Sequence, residues 1–204
     1  GGDGGWTGLI APEQFGGQGM PDSFGVAIKE MIDAANLAWG NYPLLSHGAT
    51  EALRQHGESW QQEAFLKAIV EGRWTGTMCL TEPHCGSDLG LLRTRAEPVA
   101  VDSDFGTHKI SGTKIFITAG EHDLTENIVH LVLARLPDAP HGRRGLSLSI
   151  VPTSLPHAPD SLRQRTAAPD GASEQSRRRI PHSTWVHQLA LRTRHLTLQL
   201  SPRH

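Results

Sequence analysis

The sequence predicts an α+β fold: a helical segment, then an antiparallel β-domain shaped as a partial barrel, then a disordered C-terminal tail. Three observations carry this. Apolar residues between positions 21 and 70 recur at helical spacing. At Arg73 the period changes to short β-branched and aromatic runs bounded by turn residues. Helices come first and strands after, without the alternation of strand and helix that builds a parallel sheet.

Residues 1–20 are glycine-rich and read as loop. A helix is expected over about Pro21–Ala38, with Val26, Ile28, Met31, Ile32, Ala35 and Leu37 supplying the rhythm and Asp22 or Ser23 as the cap. A second, Tyr42–His56, turns Leu44, Leu45, Ala49, Ala52 and Leu53 inward and closes at Gly57. A third runs from Trp60 to Val70 and ends at Gly72. Strands are expected at 75–81, 92–99, 108–111, 114–118, 128–136 and 145–151, with turns at Asp102–Gly106 and Ser111-Gly112. The resulting division is residues 1–72, helical; 73–152, an incomplete β-domain; and 153–204, a tail rich in Arg, Ser and Pro.

Charge separates the tail from the rest. Residues 1–152 carry 11 Lys and Arg against 18 acids, and residues 153–204 carry 8 Arg against 3 acids, within a net charge of −2. A basic tail can serve nucleic acid or a membrane surface, but this one has little apolar periodicity before Leu189, so a solvated tail is the better reading. Pro152, Pro156, Pro159, Pro169 and Pro181 interrupt regular structure, and Arg177-Arg178-Arg179 repel one another. Disorder is expected throughout 153–204 except for a short helix near Trp185–Leu200. A shifted reading frame would produce such a tail; the alternative is a variant C-terminus with its own role. No apolar run is long enough to span a membrane, and no nucleic-acid partner is expected. Cys79 and Cys85 sit six apart in one motif and read as reduced thiols.

Several site chemistries fail on spacing. Gly86-Ser87-Asp88-Leu89-Gly90 is not G-x-S-x-G, because Ser follows Gly directly. Gly2-Asp3-Gly4-Gly5-Trp6-Thr7 has Thr where a dinucleotide fingerprint needs its last Gly. Cys79, His84, Cys85 and His122 are possible soft ligands, but no C-x-x-C or H-x-x-x-H frames them, so no metal site is assigned.

The most informative stretch is Met78-Cys79-Leu80-Thr81-Glu82-Pro83-His84-Cys85-Gly86-Ser87-Asp88, followed 28 residues after Gly86 by Lys114-Ile115-Phe116-Ile117-Thr118. Both segments read as strands ending in a hydroxyl. In order and spacing they resemble the C-x-T-E-P-x-x-G-S-D and [W/F]-I-T motifs of the flavin-binding β-domain of the acyl-CoA dehydrogenase family. The resemblance runs from Gly2 to about Pro152. Thr75–Gly86 and Gly120–Arg135 are similar to the branch that acts on 3-methylmercaptopropionyl-CoA and related thioesters.

The resemblance implies FAD as cofactor. Met78, Cys79, Leu80, Thr81, Gly86, Ser87, Phe116, Ile117 and Thr118 would bind it, with Ser87 also touching the acyl-CoA substrate. Phe116 stands where many relatives have Trp and keeps the role of an apolar wall. Thr81 and Thr118 would supply hydroxyl and backbone donors. Without the joint pattern, each Thr is explained by β-propensity, and Ser87 and Asp88 by a simple turn. The implied reaction is oxidation of an acyl-CoA to the 2,3-enoyl-CoA, as in fatty acid metabolism. An electron-transfer flavoprotein is the expected acceptor, a homo-oligomer the expected assembly, and the cytoplasm, or the mitochondrial matrix in a eukaryote, the expected compartment. The catalytic Glu is expected in a C-terminal helical domain that no residue here matches, so no catalytic residue is assigned. A chain opening at Gly1 inside a motif reads as part of a longer polypeptide. The alternative is a catalytically inactive remnant that binds flavin or acyl-CoA and carries a basic tail.

Overall fold

In the computed structural model of the protein the described residues are 5–98, 107–153, 189–190 and 193–198. After two 3₁₀ turns, Trp6–Gly8 and Glu13–Phe15, the chain forms α1 (Asp22–Ala35), α2 (Leu37–Asn41) and α3 (Leu44–His56). Next come α4 (Ser59–Gln61) and α5 (Lys67–Val70), joined through a π turn at Gln62–Leu66.

The helix expected to reach Ala38 stops at Ala35 because Asn36 is extended (φ −160°, ψ 95°) and its side chain caps α2 by accepting from Trp39 N–H at 3.0 Å. Pro21, not Asp22 or Ser23, holds the N-cap position of α1. Gly57 closes α3 by donating its N–H to Leu53 O.

The larger correction concerns the helix faces. Ala49 and Leu53 of α3 are fully buried against the sheet, but Leu44 is exposed and α1 has no buried residue. Phe24, Val26, Met31, Leu37 and Trp39 all stand in solvent among the described residues. Helical periodicity reports that a face is apolar, not which surface meets it.

The sheet is built from β1 (Trp74–Cys79), β2 (Arg95–Pro98), β3 (Thr107–Ser111), β5 (Asn127–Arg135), β6 (Leu146–Pro152) and β8 (Thr193–Leu198). A second, two-stranded sheet pairs β4 (Thr113–Lys114) with β7 (Leu189–Ala190). The order in the large sheet is β1-β5-β2-β3-β8-β6, and β5 also pairs with β6, so pairings run in a ring consistent with a partial barrel. The expectation of a wholly antiparallel sheet is corrected: β1 runs parallel to β5 over six residue pairs, Trp74↔Asn127 to Cys79↔Val132, and β2 meets β5 in parallel at Arg95↔Arg135. The sheet is mixed.

The tail expectation is corrected in part as well. Where a helix near Trp185–Leu200 was expected, residues 193–198 form a strand between β3 and β6. Within residues 193–198 only Leu196 and Leu198 recur with period two, and two flanking strands give the segment ladder partners. Leu189–Ala190, also within the expected helix, pair with β4; of the tail residues expected to be disordered only Thr153 is among the described residues, and the Asp102–Gly106 turn lies outside them.

The sheet's two faces carry different cores. Val129 and Leu131 of β5 pack with Ala49, Leu53, Leu66 and Ile150 on the helix side. Cys79, Ile110, Val132, Ala134 and Val151 pack with Ile117 on the other. Gly76 lets α3 approach β1: a Cβ there would lie 2.5 Å from Ala49 Cβ.

Among the described residues three non-glycines have left-handed backbones, Phe116, Ala119 and Asp138. Ala119 has φ 52°, and an L-residue there costs about 1–2 kcal/mol. Ala119→Gly should raise stability by up to about 1 kcal/mol after glycine's own entropic cost. A thermal melt should show a rise of a few degrees; an unchanged or lower midpoint contradicts the strain.

Candidate functional site

β1 delivers Met78 and Cys79 at its C-terminal end, and the strand stops there. Leu80 and Thr81 follow outside the ladder, leading into a tight turn in which Glu82 N–H donates to Cys85 O at 2.8 Å and Cys85 N–H to Glu82 O at 3.1 Å. Beyond the turn Gly86 and Ser87 are exposed. Gly86 lies against Thr81; a Cβ on it would meet Thr81 Cγ2 at 3.5 Å, an ordinary contact, so the chain's own packing does not demand glycine here.

The second motif comes directly alongside. Ile115 N–H donates to Thr81 O at 3.0 Å, and Lys114 Nζ donates to Leu80 O at 3.0 Å. The structure therefore brings together two segments more than thirty residues apart. It does not make the second one a strand: only Thr113–Lys114 is, and 115–118 leaves the ladder. Phe116 adopts φ 56°, a conformation costing a bulky aromatic about 1–3 kcal/mol, and the residue is 65% exposed. Ile117 turns inward against Cys79, and Thr118 faces solvent.

Beneath this junction lies a group of residues that sequence reasoning left aside. Lys114 is fully buried and its ammonium sits 2.9 Å from Glu82 Oε1; Glu82 is 3% exposed. Glu82 also accepts from Thr94 N–H and Thr94 Oγ1 at Oε1, and from Arg93 N–H at Oε2 (2.8 Å). Burial alone would raise the Glu82 carboxyl. The hydrogen bonds from Thr94, Arg93 and Lys114 outweigh it and hold the group down to about 2. Burial pushes Lys114 below the ordinary lysine range against the pull of Glu82. The signal that could have found the pair was slight: one acid just after the apolar run of the first motif and one lysine just before the apolar run of the second.

Glu82, His84 and Cys85 place three ligand-type atoms within 4.8 Å of one another. Both Glu82 oxygens are already engaged and an ammonium lies against one of them, so a cation would have to displace Lys114. His84 Nε2 is 3.0 Å from Leu91 O. His122, the fourth residue considered as a ligand, lies elsewhere: its Nε2 is 3.0 Å from Thr75 Oγ1, and its Nδ1 accepts from Leu124 N–H.

Residues 1–73 match the family model of the acyl-CoA dehydrogenase N-terminal domain. The chain is 53% identical over 153 residues to 3-methylmercaptopropionyl-CoA dehydrogenase of Ruegeria pomeroyi, an alignment covering 75% of this chain and 25% of that protein. The chain belongs to the acyl-CoA dehydrogenase family. A butyryl-CoA dehydrogenase of Syntrophomonas wolfei is 40% identical over 133 residues, covering 65% of this chain and 21% of that one. Among solved structures, glutaryl-CoA dehydrogenase from Mycobacterium smegmatis matches with a TM-score of 0.60 and 27% identity, over 76% of this chain and 36% of that chain. A glutaryl-CoA dehydrogenase of the same organism was solved in complex with FADH2 and matches at 0.59 and 26% identity, over 76% of this chain and 36% of that chain. The chain thus spans about a quarter of the length of these curated relatives.

The residues at the junction suit the flavin cofactor of such an acyl-CoA dehydrogenase. The two motifs carry a solvent-facing aromatic in a strained backbone (Phe116), two exposed hydroxyls (Thr118, Ser87) and an exposed glycine, Gly86, that lies against Thr81. That set offers an apolar wall, donors and close backbone approach.

Proposed function

We propose that this chain supplies the flavin-binding part of an FAD-dependent acyl-CoA dehydrogenase that oxidises an acyl-CoA thioester to the 2,3-enoyl-CoA. Residues 1–72 act as its helical part and 73–152 as its flavin-binding β-domain. The observation that carries the reading is the seam at Thr81. There Ile115 N–H and the Lys114 ammonium bind the first motif, and Phe116, Thr118, Gly86 and Ser87 of the two joined motifs are exposed. FAD, when bound, would accept at N5 the hydride leaving the β carbon while a carboxylate base takes the α proton.

The roles within this chain follow from chemistry. Met78, Cys79 and Leu80 present backbone along the cofactor edge, and Thr81 and Thr118 donate hydrogen bonds. Phe116 and Ile117 wall the site, Phe116 with its exposed ring and Ile117 from the core beneath. Gly86 admits backbone closely, and Ser87 donates to a cofactor phosphate or to the thioester ligand. An electron-transfer flavoprotein as acceptor, a homo-oligomeric assembly and a soluble compartment, cytoplasm or mitochondrial matrix, belong to the same proposal.

A second reading has one observation in its favour. The alignments span about a quarter of the curated relatives' length, and no carboxylate in this chain is assigned as the base. On that reading the chain binds flavin or acyl-CoA without turnover. Purification with FAD followed by absorbance spectroscopy tests the site, and reduction of a dye by acyl-CoA tests the chemistry. Thr118→Ala should weaken FAD binding about tenfold, the size of one well-placed hydrogen bond. Equal affinity in that variant removes Thr118 from the site. Bound flavin with no dye reduction favours the second reading over the first.

A further inference from the structure

The sheet interior beside the flavin motif holds an imidazole that the proposed function does not use. His130 of β5 is 2% exposed, and both its nitrogens are engaged. Nδ1 lies 3.0 Å from Thr77 Oγ1 and Nε2 lies 3.0 Å from Thr153 Oγ1. Cys79 Sγ, in the flavin motif, lies 3.4 Å from Thr77 Oγ1 and 3.8 Å from His130 Nδ1.

The proton positions in this chain follow from its far end. Thr153 Oγ1 lies 3.3 Å from Ile128 O, which can only accept, so the Thr153 hydroxyl proton points there. Thr153 Oγ1 must then accept from His130, which places a proton on Nε2. Neutral His130 presents a lone pair at Nδ1, so Thr77 donates to it. The Thr77 proton is thereby used, and the Cys79 thiol donates to Thr77 Oγ1 or to the same Nδ1. The direction is one-way: Cys79 and Thr77 to His130, His130 to Thr153, and Thr153 to the backbone of Ile128. It links the end of β1 to Thr153, immediately beyond β6, through β5 between them.

We infer that His130, as its Nε2–H tautomer, is a positioning residue for the flavin-binding strand, acting through Thr77 and Cys79 to hold Met78–Thr81 in place. The inference rests on the reading of Met78–Thr81 as a cofactor-binding segment.

Two substitutions separate the ends of the chain. In His130→Asn the amide oxygen can stand in for Nδ1 and keep the Thr77 contact. In His130→Gln the amide nitrogen can reach toward Thr153, and the Thr77 contact is lost. The full chain, labelled with ¹⁵N, should show His130 as a neutral Nε2–H imidazole at pH 7 in long-range ¹H–¹⁵N spectra. Amide exchange at Cys79 should accelerate about tenfold in His130→Gln and less than twofold in His130→Asn. FAD affinity should follow the same order. A Nδ1–H tautomer overturns the inference, and so does equal acceleration in both variants, which would mean His130 only fills space. Wild-type chain that takes up no FAD refutes the flavin reading; the tautomer and the exchange rates then still decide whether His130 holds the strand.

Discussion

Lys114→Met should destabilise the protein by about 3–5 kcal/mol, enough to unfold many domains of this size. The change leaves the Glu82 carboxylate, 3% exposed, without the ammonium 2.9 Å away. Glu82 would keep its bonds from Arg93 and Thr94, but a buried charge without a counter-charge is costly. Leu80 O would also lose its donor at the point where the two motifs join. The double variant Glu82→Gln with Lys114→Met removes both charges and should recover much of the loss, because two buried charges need each other more than the fold needs them. Urea denaturation of the wild type, both single variants and the double variant measures this as a cycle. A Lys114→Met protein with a wild-type midpoint would show that the pair is not buried as a unit.

Acid should weaken the fold well before ordinary carboxylates titrate. Burial, with a smaller contribution from nearby His122, pushes His130 from 6.5 down to about 4. The unfolded chain therefore binds a proton between those values that the folded chain refuses. Stability is fully present above pH 6.5 and is lost as pH falls through about 4, by about 3 kcal/mol for this group. His122 is also lowered, by burial first, and acts in the same direction. Glu82, held down to about 2, adds a further loss as pH falls below 4.5. Urea midpoints at pH 7.5 and pH 4.5 should differ clearly in the wild type, and the difference should shrink in His130→Asn. Equal wild-type midpoints at the two pH values would mean that His130 is not buried as a neutral base.

What the sequence determined by itself is substantial. Continuous apolar and β-branched runs at 128–136 and 145–151 placed β5 and β6 to within a residue, because a strand with neighbours on both sides needs little beyond such a run. The two motifs, in order and spacing, pointed to the family and to one cofactor. The sequence did not show which segments would leave the ladder. Residues 92–94 have strand-like composition, yet Arg93 and Thr94 turn their N–H groups to Glu82, so β2 begins only at Arg95. Residues 115–118 have equally good β-propensity, yet Ile115 bonds to Thr81 and Phe116 takes a left-handed backbone. Each exception is caused by a partner far away in the chain, and propensity is a local quantity. The same limit hid the Glu82–Lys114 pair and the run from Cys79 to Thr153, since both depend on which strands become neighbours. It also hid which way α1 faces. A helical stripe of apolar residues records that a surface avoids water; only tertiary packing decides whether that stripe meets the core, and the stripe of α1 does not.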